Sequence, residues 1–197
     1  MTAAAATTTY PRSTTEHPEH SPRFTAHTPA TATGRAHEAL TRLWERHGDK
    51  VGVMARTMAG SPSVLEGYLD LSRAMKRSTL PRPLAEQISL AIQQRLGCAT
   101  CLAAHTAAAR AAGLSEDDIA LARSGAANDP GTAALIAYAT QIHQAPATVT
   151  SQQIEDLRRL GHSDRQLLDV VGLVVLNHLT GAFNLVAGLD PEQENPS

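Results

Sequence analysis

Residues 86–115 read EQISLAIQQRLGCATCLAAHTAAARAAGLS, and this stretch decides the fold. From Glu86 to Leu96, the apolar residues Ile88, Leu90, Ala91, Ile92 and Leu96 recur at helical spacing. Gly97 interrupts them, and glycine ends helices because it adopts a left-handed conformation without steric cost. Cys98 to Ala112 is again helical in composition, rich in alanine, and stops at Gly113. Ser115, followed by Glu116, Asp117 and Asp118, opens a further helix with a capping hydroxyl and acids in its first turn. Two helices folding back on each other at a glycine are the repeating unit of an α-bundle.

Outward from this centre the pattern continues. Pro81 and Pro83 open the helix that carries Glu86. Ser61-Pro62 opens one running to about Arg77, with Leu65, Tyr68, Leu69, Leu71 and Met75 on its apolar side. Ala36 to His47 places Ala39, Leu40, Leu43 and Trp44 on one face. On the other side, Asp129-Pro130 begins a helix with Leu135, Ile136, Tyr138, Ala139 and Ile142, and Thr150 begins a short one. Ser163 caps the longest, from Asp164 to about Ala187. Alternating β-branched segments with hairpin turns are missing, so the expected class is all-α, in one domain.

Three segments are expected. Residues 1–33, rich in Thr, Pro, Ala and His, form a low-complexity tail, disordered or packed as an arm on a neighbour. Its His17, His20 and His27 have no regular spacing and are expected to be solvated. Residues 34–190 form the helical domain, and 191–197 a C-terminal tail.

The 197-residue chain has a formal net charge of −2 and no long run of one sign, so no nucleic-acid partner is expected. The opening residues lack a basic region followed by a long apolar segment. Leu167 to Gly188 is long enough to span a bilayer but contains Asp169, Asn177, His178 and Asn184, which are costly at that depth. It is expected to be a buried helix of a soluble, cytoplasmic protein with no membrane partner. Being apolar nearly all round, it calls for cover on every side, and a subunit interface supplies it: a homo-oligomer is expected. His143, Asn177, His178 and Asn184 are expected to be buried polar groups tying helices or subunits together.

The chemistry is expected at Cys98 and Cys101, the two cysteines of the chain. In a reducing compartment a close pair is more often catalytic or metal-binding than a structural staple. Residues three apart on a helix share a face and come within reach of a disulfide. An ordinary thiol with a pKa of about 8.5 is only about 3% ionised at neutral pH, and a helix N-terminus next to Gly97 favours the thiolate. His105 follows Cys101 by one helical turn, on the same stripe. Folding back at Gly97 brings Glu86 level with His105, giving carboxylate, imidazole and thiol in sequence. Other readings of these residues are two small core cysteines, or a zinc site of Cys98, Cys101, His105 and Glu86. A c-type haem is excluded because Leu102 stands where its histidine is needed, and two cysteines are too few for an ordinary iron–sulfur cluster.

Glu86, an eleven-residue gap, then Cys98-x-x-Cys101-x-x-x-His105 resembles the signature of AhpD-like alkylhydroperoxidases of the carboxymuconolactone decarboxylase superfamily. The likeness is strongest over about Leu80 to Gly125 and weaker over Ala36 to Leu189. It implies an all-α AhpD-like bundle assembling as trimers or larger rings such as hexamers, and reduction of hydroperoxides without a bound cofactor or metal. It implies Cys101 as the attacking sulfur, which becomes a sulfenic acid. Cys98 then resolves it as a disulfide, with Glu86 and His105 as the proton relay and an external dithiol, lipoyl or thioredoxin-like, as reductant. The best-studied members carry a histidine directly before the attacking cysteine, where this chain has Thr100. A general thiol-disulfide oxidoreductase or redox sensor, and a non-catalytic helical scaffold, are the alternative functions.

Overall fold

The computed structural model describes residues 22–189. Nine α-helices make up most of these residues, with no strand among them. They are α1 (Gly34–His47), α2 (Val53–Met58), α3 (Pro62–Met75), α4 (Arg82–Leu96), α5 (Ala99–Ala111), α6 (Glu116–Ser124), α7 (Pro130–Gln144), α8 (Ser151–Arg159) and α9 (Asp164–Ala187). The all-α expectation holds. The short α2 has too few turns to display a period, and the sequence reading contained no helix there.

Local chemistry accounts for most helix starts. The Ser115 and Ser163 hydroxyls accept the amides of Asp118 and Gln166, whose side chains return to the cap residue. Asp129 accepts from the Thr132 amide, and Thr150 from that of Gln153. Each such cap stabilises its helix by about 1 kcal/mol.

α4 is the axis of the bundle. Leu90, Ala91 and Ile92 are consecutive and fully buried, which demands neighbours around the whole helix. α5, α6, α7 and α9 provide them. Ile88 and Ile92 pack with Leu135, Ile136 and Ala139 of α7 and Val170, Leu173 and Val174 of α9. Leu90 turns the other way, onto Ala109 of α5 and Ile119 and Ala122 of α6. A second core joins α1, α2 and α3 through Ala36, Leu40, Met58 and Leu65, with Phe183 of α9 against it. α9 is therefore shared by both halves, although its length and composition also suit a membrane span. Its outer side is not covered: Leu168, Val175, Leu185 and Val186 are exposed, Leu168 to 71%.

The described part of the expected tail, residues 22–33, lies on the chain's own bundle. The Arg23 amide donates to the Ala187 carbonyl, and its guanidinium donates to the carbonyls of Leu185 and Val186, at the end of α9. Unpaired carbonyls and the negative end of the helix dipole attract such a cation. Further along, His27 and Arg56 of α2 bond through both amide–carbonyl and guanidinium–carbonyl contacts. His27, expected to be solvated, is half-buried, with its Nδ1 enclosed. His17 and His20 lie outside the described residues, as does 191–197.

Candidate functional site

Gly97 makes the site possible. With φ of 74° it closes α4 in the left-handed region, where a side chain is strained, and turns the chain into α5. Cys98 is then the N-cap of α5 rather than a member of it, and its Sγ accepts the backbone amide of Cys101 at 3.2 Å. The two cysteines sit with Cα atoms 5.3 Å apart and their sulfurs are joined. The placement sharpens the expectation of one helical stripe: Cys98 lies just before the helix and Cys101 within its first turn.

Glu86 and His105 meet as expected. Glu86 is on the second turn of α4 and His105 on the second turn of α5, with Glu86 Oε2 2.8 Å from His105 Nδ1. A carboxylate only accepts, so Nδ1 carries the proton in this contact, and in a neutral ring the lone pair is then on Nε2. Arg82, one turn before Glu86, lies 3.9 Å from its other oxygen. Sequence reasoning missed Arg82; its i, i+4 spacing from Glu86 was the available signal. His105 is one turn after Cys101 on α5, so the two side chains are neighbours on that helix.

α9 completes the surroundings. Asn184 approaches both sulfurs with its Nδ2, at 3.4 Å from Cys101 Sγ and 3.9 Å from Cys98 Sγ. Its Oδ1 is buried without a partner. Thr100 is buried, and its hydroxyl donates to the carbonyl of Leu189, just after α9. Both sulfurs are enclosed, Cys98 being 1% and Cys101 6% exposed. A cavity of about 590 Å³ lies elsewhere, between α1 and α3, and includes none of these residues.

The other polar residues singled out from sequence separate into two kinds. Asn177 is buried with both ends of its carboxamide engaged: its Nδ2 donates to Ser89 Oγ and the Leu173 carbonyl, and its Oδ1 accepts from Gln93 Nε2. His178, expected to be buried, is exposed, and its ring lies 5.5 Å from that of His143. Burial, with the neighbouring His178 and Arg95, holds His143 below the ordinary imidazole range. No cluster of three His, Cys, Asp or Glu side chains among the described residues is arranged to hold a metal ion.

Residues 62–144 match the carboxymuconolactone decarboxylase family. No curated protein matches the chain significantly. Among solved structures, the alkylhydroperoxidase AhpD core of an uncharacterized peroxidase-related protein from Ralstonia eutropha JMP134 is similar, with a TM-score of 0.74 and 19% identity. That likeness covers 89% of this chain and 94% of the other. An uncharacterized peroxidase-related protein from Silicibacter sp. TM1040 has a TM-score of 0.70 at 18% identity, over 80% and 88% of the two chains. The debrominase Bmp8, solved with 2,3,4-tribromopyrrole, has a TM-score of 0.66 at 14% identity, over 88% and 95%. At these identities the likenesses establish the AhpD-like fold.

Proposed function

For a chain that carries the carboxymuconolactone decarboxylase family pattern over residues 62–144, on an AhpD-like fold, we propose thiol-dependent reduction of hydroperoxides at Cys98 and Cys101. The observation that carries this reading is the Glu86–His105 contact at 2.8 Å, placed one helical turn from a joined cysteine pair.

The reaction begins with both sulfurs reduced by an external dithiol of lipoyl or thioredoxin type. Glu86 accepts from Nδ1 and holds the imidazole so that Nε2 takes the proton of Cys101. The Cys101 thiolate attacks one peroxide oxygen and the O–O bond breaks. The alcohol leaves with the proton returned from His105, and Cys101 is now a sulfenic acid. Cys98 attacks that sulfur, water leaves, and the disulfide forms. The net change is hydroperoxide plus dithiol giving alcohol, water and disulfide.

The enclosure of both sulfurs suits a small oxidant such as a hydroperoxide. The exposed apolar side of α9 supports the homo-oligomer as part of this proposal, since association removes Leu168, Val175, Leu185 and Val186 from water.

The test is peroxide consumption with a dithiol reductant. The wild type turns peroxide over, Cys101→Ser abolishes turnover, and Cys98→Ser leaves a sulfenic acid that a sulfenate-specific reagent traps. Equal consumption by wild type and Cys101→Ser sinks the proposal.

A further inference from the structure

The two sulfurs are supported by different groups. Cys98, as N-cap, already accepts the backbone amide of Cys101. Cys101 spends its own amide on that bond, and among the described residues no backbone N–H bonds its Sγ. Helix-terminus electrostatics alone therefore favour Cys98 as the thiolate. The contact that reverses this comes from the other end of the sequence.

We propose that Asn184 is the positioning residue that makes Cys101 the attacking sulfur, by donating its carboxamide N–H to the Cys101 thiolate. Its Nδ2 is nearer to Cys101 Sγ, at 3.4 Å, than to Cys98 Sγ, at 3.9 Å. A thiolate enclosed among apolar groups is penalised by lost hydration, and a buried donor offsets that penalty. The rest of the Asn184 side chain is uncommitted, because Oδ1 has no partner while buried. A carboxamide not tied into a network turns to suit the sulfur: the oxygen accepts from S–H, and the nitrogen donates to S⁻. Thr100, in the position next to Cys101, has its hydroxyl occupied by the Leu189 carbonyl and leaves this task to α9.

The inference rests on the proposed function only in naming Cys101 the attacker, and its test needs no peroxide. The full-length chain is reduced, then alkylated over a range of pH, with each cysteine followed separately by peptide mass spectrometry. Asn184→Leu raises the midpoint of the Cys101 profile by about one pH unit, so that alkylation at neutral pH slows about tenfold. The Cys98 midpoint moves much less. Asn184→Asp, which keeps the shape but places a second anion beside the sulfur, raises the Cys101 midpoint further. Thermal melts establish that both variants are folded, and the near-isosteric Asp variant carries the test if the Leu variant is not. An unchanged Cys101 midpoint overturns the inference, as does an equal shift at both cysteines. A shifted Cys101 midpoint in a protein that turns over no peroxide removes the proposed function and leaves this inference standing.

Discussion

Asn177 and Asn184 lie seven residues apart on α9, face the same interior and are almost equally buried, at 2% and 4% exposure. Their surroundings differ completely. Asn177 has both ends of its carboxamide engaged, with Gln93 and Ser89 of α4 and with the Leu173 carbonyl. Asn184 faces two sulfurs and keeps an unpaired oxygen. Buried polar groups are normally satisfied, so Asn177, engaged at both ends, reads as architecture, whereas the Nδ2 of Asn184 faces the two sulfurs. The comparison separates a structural half of α9 from a chemical half. It explains how one apolar helix carries both.

The sharpest way to break this comparison is Asn177→Leu. It leaves Ser89 without its donor and costs Gln93 its Oδ1 partner, a loss of about 2 kcal/mol. The melting temperature falls by about 5 °C while the Cys101 alkylation profile stays where it was. A shifted thiol profile in a folded Asn177→Leu protein ends the division of labour.

Gly181→Ala presses on the same structural half. A Cβ there stands 2.6 Å from Gln93 Oε1 and 2.7 Å from Leu96 Cδ1, so Gln93 is pushed off Asn177. Crowding outweighs the better helix propensity of alanine by about 1 kcal/mol. Chemical denaturation measures this as a lower midpoint; a more stable variant contradicts the packing described.

Acid sensitivity sharpens the contrast at the outer side of α9, where His178 meets His143. The folded protein holds His143 below the ordinary imidazole value of 6.5, chiefly through burial. The unfolded chain thus takes up the proton first as the solution is acidified. The His143 contribution is present above that value and lost as pH falls below it. In melts at neutral and mildly acidic pH, His143→Gln loses less of its melting temperature than the wild type does. An equal loss in both removes His143 as a source of acid sensitivity.

The smallest effect belongs to Asn184→Leu when stability is read instead of chemistry. With no side-chain network to break, it changes unfolding free energy by less than about 1 kcal/mol. A loss as large as that of Asn177→Leu makes Asn184 structural after all.

Much of the site was legible from sequence because its parts are close along the chain. Glu86, Gly97, Cys98, Cys101 and His105 occupy two consecutive helices, and a glycine between them allows only a few ways of folding back. Folding back at Gly97 brings Glu86 level with His105, and the resemblance to AhpD-like proteins is what singles Glu86 out. Thr100 and Asn184 did not yield to the same reasoning. Their partners lie 89 and 83 residues away, and no local pattern states which turn of α9 meets which turn of α5. The segment 22–33 escaped it for a similar reason. Its composition offers little apolar surface, but Arg23 finds the exposed carbonyls of α9, and backbone bonds to α2 hold His27.

The sequence by itself determined the all-helical class, most helix boundaries and the closeness of Cys98 to Cys101. Caps, glycine stops and residue spacing act within one or two turns of chain. Only the tertiary structure decided how the two sulfurs differ. The helix start serves Cys98, while the packing of α9 across α5 brings Asn184 to Cys101. That distinction depends on the relative placement of two helices, which is set by the packing of both cores together and by no single segment.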